Sequence, residues 1–227
     1  MELTIGGSIA QYARLALDEG DTLWASRGAL ISYSAGIRWR LRVPGGIGGA
    51  VRRSFAGEGA ALTYVECDGP NERIELGSTQ PGHVDAWDLA RGPIIATRGS
   101  FLAAWGPAVT IDVTIARRVG AALFGGAGLF LQRISGQGIA LIHGSGDFIR
   151  HELAPGERLI VSSGNLAAFS STVDYRIRGV GGCMKMLFGR EGIFMTELVG
   201  PGSVLLQTLK RGRGIASGAA GAAAAAG

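Results

Sequence analysis

Gly20-Asp-Thr-Leu-Trp-Ala-Ser-Arg-Gly28-Ala-Leu-Ile-Ser-Tyr33 decides the fold, because the chain writes this stretch three times. The second copy is Gly92-Pro-Ile-Ile-Ala-Thr-Arg-Gly99-Ser-Phe-Leu-Ala-Ala104. The third is Gly156-Glu-Arg-Leu-Ile-Val-Ser-Ser-Gly164-Asn-Leu-Ala-Ala-Phe169. Each reads as an apolar run, a glycine turn and a second apolar run, the pattern of a β-hairpin. A repeat of this length signals supersecondary modules stacked on a shared core.

The likeness extends beyond the opening block. A strand of clean alternation follows in each copy: Ile37–Val43, Val109–Ile115 and Val173–Arg178. Period-two patterning predicts half-buried strands, with Ile37, Trp39, Leu41 and Val43 facing a core and Arg38, Arg40 and Arg42 facing water. Next come Phe55-Ala-Gly57-Glu-Gly59, Phe124-Gly-Gly126-Ala-Gly128 and Phe188-Gly-Arg-Glu-Gly192, each leading into an apolar strand. A second glycine turn (Gly136-Gln-Gly138 or Gly200-Pro-Gly202) precedes the last strand. Two landmarks agree on the offsets: Gly28, Gly99 and Gly164 are 71 and 65 residues apart, and Gly59, Gly128 and Gly192 are 69 and 64 apart. These glycines are assigned to structural turns. About six strands per copy, some eighteen in all, are expected. No stretch holds a 3.6-residue period over three turns, so helix is limited to short turns near 50–54 and 117–123.

Composition excludes several classes. The chain has 227 residues, 47% hydrophobic and 18% charged, which rules out a charge-rich disordered protein. Its 39 glycines show no collagen-like period and read as turns and bulges. The net charge of +4 bears on contact with nucleic acid or anionic membrane rather than on fold. Cys67 and Cys183 are expected to be reduced and partly buried. No apolar run reaches the roughly 18 residues of a spanning helix, and the amino terminus does not read as an export signal. A cytoplasmic protein is the expectation.

The residues that carry chemistry are sparse. His83, His143 and His151 are not repeated between copies and read as ordinary loop or edge histidines rather than metal ligands, with His151 falling opposite Trp87 in the repeat alignment, which suggests a packing position for it. None of the Gly-x-Gly turns completes a dinucleotide-binding fingerprint or joins a strand to a long helix. Glu58 and Glu191 share a repeat position, but the middle copy has Ala127 there, so a solvated turn is preferred to an acid–base pair. No nucleophile elbow is present in the sequence. The best candidate contact surface is basic: Arg38, Arg40 and Arg42 on one strand, Arg52 and Arg53 after it, and Arg176 and Arg178 in the third copy. Such a stripe would give salt-sensitive binding to a polyanion.

Ser26-Arg-Gly-Ala-Leu-Ile-Ser-Tyr33, Phe55-Ala-Gly-Glu-Gly59 and Gly200-Pro-Gly-Ser-Val-Leu-Leu-Gln-Thr208 together resemble the mitochondrial-biogenesis family named for altered inheritance of mitochondria, over roughly residues 10–209. The resemblance implies three β-sandwich-like modules about a pseudo-threefold axis, the fold grouped with the tryptophan RNA-binding attenuation protein. It also implies no known enzymatic reaction, a link of eukaryotic members to mitochondrial membrane organisation, and here a bacterial or archaeal type of member.

The reading is therefore an all-β, single-domain protein over 1–209, with repeats at about 10–78, 79–145 and 146–209 and a flexible low-complexity tail at 210–227. Its expected function is non-catalytic: a scaffold without cofactor or metal that docks protein partners, further copies of itself, or a membrane-associated complex. A small-ligand site or cryptic enzyme at the repeat axis, and polyanion binding through the arginines, are the alternatives.

Overall fold

The computed structural model describes residues 1–44, 61–97, 99–116, 129–179 and 194–211. The Phe-led glycine elements (with Gly59, Gly128 and Gly192), Arg52, Arg53, Cys183, both expected helical turns and residues 212–227 lie outside them. Nineteen strands run along the described chain: β1 Glu2–Gly6, β2 Tyr12–Leu17, β3 Thr22–Ala25, β4 Leu30–Tyr33, β5 Ile37–Arg42, β6 Leu62–Cys67, β7 Glu72–Gly77, β8 Gly82–Asp88, β9 Ile94–Thr97, β10 Phe101–Trp105, β11 Thr110–Ala116, β12 Leu129–Ser135, β13 Ile139–Ser145, β14 Phe148–Leu153, β15 Arg158–Ser162, β16 Leu166–Ser170, β17 Asp174–Gly179, β18 Phe194–Val199 and β19 Gly202–Gln207. The only helix among the described residues is two 3-10 turns, Leu89–Arg91 and Ser163–Asn165. The all-β reading holds.

After β1, the strands fall into three successive sets of six. One sheet has the order β5-β6-β3-β10-β13-β8, and another has β11-β12-β9-β16-β19-β14, which is the first order with every strand number raised by six. A β-bulge recurs with it, between Leu30 and Ser32, Phe101 and Ala103, and Leu166 and Ala168. These are aligned positions of the three copies. Each bulge adds one residue to its strand and sharpens the local twist.

The glycine turn is not a hairpin. β3 pairs with β6 and β10, whereas β4 pairs with β7 in a different sheet. The turn at Gly28 (φ +80°) therefore carries the chain across a corner from one sheet to the other, and Gly99 (φ +79°) does the same in the second copy. A left-handed φ suits glycine at both. Gly164 instead lies within the 3-10 turn Ser163–Asn165.

Three buried clusters follow from this layering. Leu15, Leu17, Leu23, Val65, Ile74 and Leu76 anchor the first; Ile94, Phe101, Ile134, Ile142 and Leu205 the second; Leu131, Val161, Phe169, Leu198 and Val204 the third. Each is built from inward residues that alternate along the strands and draws on neighbouring sets: Leu102 and Leu141 of the second set join the first cluster, Leu62 and Leu205 join the second, and Leu131 joins the third. Burying each such side chain contributes about 1.5–3 kcal/mol.

Consecutive copies share sheets through β3–β10 and β9–β16. At the second of these seams Thr97 Oγ1 lies 2.7 and 3.0 Å from the carbonyl oxygens of Leu166 and Ala167, and 3.1 Å from Ser100 Oγ. Thr97→Val keeps the shape and removes the donor, leaving buried acceptors without it. The expected cost is about 1–3 kcal/mol, read as a lower urea midpoint with unchanged slope. An unchanged midpoint would mean that this hydroxyl does not tie the copies.

The starts of the three sets also meet. Ala10 bridges Gly82 and Gly82 bridges Gly146, both in parallel. Gln11 N donates to Gly82 O at 2.8 Å, Gly146 N donates to Pro81 O at 3.1 Å, and Val84 N donates to Gln11 Oε1 at 2.8 Å. A Cβ at Gly82 would run into the backbone of Gly144 and Gly146, so only glycine fits this crossing.

Candidate interaction surface

Among the described residues β5 ends its sheet, and its two faces differ from the alternation expected. Ile37 is buried, but Trp39, Leu41 and Val43 are 45%, 50% and 43% exposed. The period-two pattern separates the faces correctly. The apolar face runs past the core, however, while its neighbours on β6, Val65 opposite Trp39 and Thr63 opposite Leu41, are buried.

The opposite face carries the arginine stripe, and the protein supplies partners for it. Arg38 pairs with Asp68, Arg40 with Glu66 at 2.8 Å, and the Arg42 guanidinium sits 4.7 Å from the centre of the Tyr64 ring. The cross-strand register explains this, since Arg38 stands opposite Glu66 and Arg40 opposite Tyr64. Surface pairs of this kind contribute about 0–1 kcal/mol each and partly cancel the field of the stripe. Charge on an edge strand also discourages unplanned sheet pairing.

Arg176 and Arg178 are brought to a different sheet, β15-β18-β17, rather than to the β5 stripe. Arg176 stands opposite Glu197, which is buried although it lies mid-strand. Arg158, Asp174, Tyr175, Arg176, Glu197 and Val199 line a half-open hollow of about 330 Å³ there. Arg158 Nη1 is 3.5 Å from Glu197 Oε1. Two arginines and two carboxylates balance within it, and burial raises the pKa of the Tyr175 hydroxyl.

The histidines separate into different environments. His83 is half-buried, its Nδ1 2.9 Å from Gly146 O and 3.3 Å from Asp147. His151 is half-buried on β14. His143 is no loop or edge residue: it sits inside β13 with 1% exposure. Arg211, which the sequence places in the terminal tail, reaches back to it, with Nη2 3.3 Å from His143 Nδ1 and 3.2 Å from His143 O, and Nη1 2.6 Å from Ser100 Oγ. His143 Nε2 is buried without a hydrogen-bond partner among the described residues. Burial first, then the Arg211 charge, lowers the His143 pKa to about 4. Burial lowers that of Arg211 to about 10. The lone histidine in Ile139-Ala-Leu-Ile-His143 was the available signal of a core position. Cys67 is a buried free thiol whose pKa burial pushes up, the setting of an unreactive cysteine.

Among the described residues no group of three or more His, Cys, Asp or Glu could hold a metal ion, and no helix is long and apolar enough to cross a membrane. The class so defined is an all-β protein of sheet-sharing six-strand sets whose prominent surface features are strand edges. The chain belongs to the mitochondrial biogenesis AIM24 family, whose model matches residues 3–209. The crystal structure of protein SPYM3_0169 from Streptococcus pyogenes is similar with a TM-score of 0.76 and 21% identity, over 92% of this chain and 94% of that one. At that identity the likeness concerns fold. No curated protein matches the chain.

Proposed function

We propose that the chain is a non-catalytic docking module in which three six-strand units surround a pseudo-threefold axis and β5 is the contact edge for a protein partner. The observation that carries this reading is the row Trp39 and Leu41 on β5 with Val43 just after it, three large apolar side chains each at least 43% exposed. Exposed apolar rows flanked by charge mark interaction sites. Tryptophan and arginine are the residue types that most often dominate such contacts. Arg38, Arg40 and Arg42 on the reverse face form the rim and guide the encounter, which makes it sensitive to salt.

The axis offers a small ligand little room where the copies meet, because Gly82 packs against the backbone of Gly144. The hollow beside Glu197 is lined by mutually balancing charges. Both features support docking over catalysis.

A photo-crosslinking residue placed at 39 or 41, in cells of the native host, is expected to yield the same discrete adduct; at exposed Arg150 it should not. Trp39→Ser with Leu41→Ser should abolish binding of the identified partner. Arg38→Ser, Arg40→Ser and Arg42→Ser together should weaken it several-fold, all with the fold intact. Equal adducts at 150, or undiminished binding by the Trp39/Leu41 variant, would end this reading.

A further inference from the structure

We infer that a second copy of this chain closes a seam that the single chain leaves open, β4 of one protomer pairing with β15 of its partner. Within the chain, copy one joins copy two by β3–β10, and copy two joins copy three by β9–β16. Raising the strand numbers by six again makes β15 the next partner, and counting round to copy one makes β4 its mate. No pairing joins them among the described residues: β15 ends the sheet β15-β18-β17, and β4 ends the sheet β1-β2-β7-β4.

The side chains mark the same opening. Ile31 is 61% exposed, whereas the aligned Leu102 and Ala167 at the closed seams are 2% and 0%. Tyr33 is 48% exposed against 0% for Ala104 and Phe169. On the other strand Ile160 is 56% exposed, whereas its counterparts Trp24 and Ile95 are only partly exposed. Unpaired strand edges bearing apolar side chains are templates for sheet extension.

The fit identifies the occupant. At the closed seams Ala103 stands opposite Ala25 and Ala104 opposite Trp24, then Ala168 opposite Ala96 and Phe169 opposite Ile95. The same offsets set Ser32 opposite Val161 and Tyr33 opposite Ile160. The two exposed apolar residues thus face each other across the seam, with the bulge at Leu30–Ser32 already formed. The edge complementary to β4 is therefore β15; the chain's own β15 does not pair with β4 among the described residues, and a second copy supplies the mate. A two-fold pair satisfies both edges of both chains and closes, whereas one-sided pairing would propagate into fibres. Each joined sheet would run β1-β2-β7-β4 into the partner's β15-β18-β17.

The test is the solution mass of the full chain, by light scattering at tens of micromolar, with unfolding curves to verify the fold. Wild type is expected at twice the monomer mass. Tyr33→Lys with Ile160→Lys places like charges across both seams and should return a folded monomer. Tyr33→Lys with Ile160→Glu places opposite charges there and should restore the dimer. Trp39→Ser should leave the dimer intact, which separates this seam from the β5 edge. A monomeric wild type, a dimer that survives the double lysine change, or failure of the Lys/Glu pair to restore it would overturn the inference.

Discussion

Gly82→Val is expected to be among the most damaging single substitutions in the described chain, costing upwards of about 4 kcal/mol and in practice preventing stable folding. Gly82 stands between Ala10 and Gly146 where the starts of the three strand sets meet, and its φ is +156°. A side chain there would enter the space of the Gly144 carbonyl and the Gly146 amide, which are backbone atoms that cannot rotate away. Gly20→Ala is the proper comparison. Its φ of +87° is also left-handed, but nothing lies within 4 Å of an added Cβ, so the expected cost is only about 1–2 kcal/mol. Equal urea midpoints for the two variants would show that the close crossing at Gly82 does not hold the copies together.

Acid should destabilise the protein through His143. Its pKa falls from 6.5 to about 4 on folding because burial and the nearby Arg211 charge oppose protonation, against a favourable contribution from the Gln80 backbone. His83 adds a further unfavourable charge when protonated. Between those values the unfolded chain binds a proton that the folded chain refuses, so stability is full above pH 6.5 and declines as pH falls toward 4. A shift of that size amounts to about 3 kcal/mol. His143→Asn retains a side-chain acceptor for Arg211 and removes the titration. The difference between the two proteins in unfolding free energy should therefore change by about that amount from pH 7 to pH 4. Carboxylates such as Glu75, whose pKa the Ser32 hydroxyl and Arg14 lower, contribute equally to both and cancel. Parallel pH profiles would place the His143 ring in contact with solvent.

The sequence made the strands legible and their partners less so. Alternation and recurring glycines located six strands per copy, because both report local geometry: side-chain direction in a strand and the turn at a corner. They could not report that the run after Gly28 joins a different sheet from the run before it, since sheet membership is decided by contacts far along the chain. Trp39, Leu41 and Val43 fail for a related reason. Period two sorts residues onto two faces, but whether a second layer covers the apolar face depends on how far that layer extends.

The open seam did leave a trace in the sequence. Ser32-Tyr33-Ser34 stands where the other copies have Ala103-Ala-Trp105 and Ala168-Phe-Ser170, and the added hydroxyls suit an edge better than an interior strand. The arginine stripe was visible, but its cross-strand partners Asp68 and Glu66 required the register of β5 on β6 to be seen. The burial of His143 depended on Arg211 folding back from beyond the last strand.

The central claim is that the three strand sets form one cooperative body rather than three separable units. Native-state amide hydrogen exchange tests it most directly, following Leu15 in the first set, Leu141 in the second and Leu198 in the third, each at most 0% exposed. The account predicts that all three exchange only through global opening, with one common free energy and one common denaturant slope. Three distinct free energies, or one set exchanging while the other two stay protected, would contradict it.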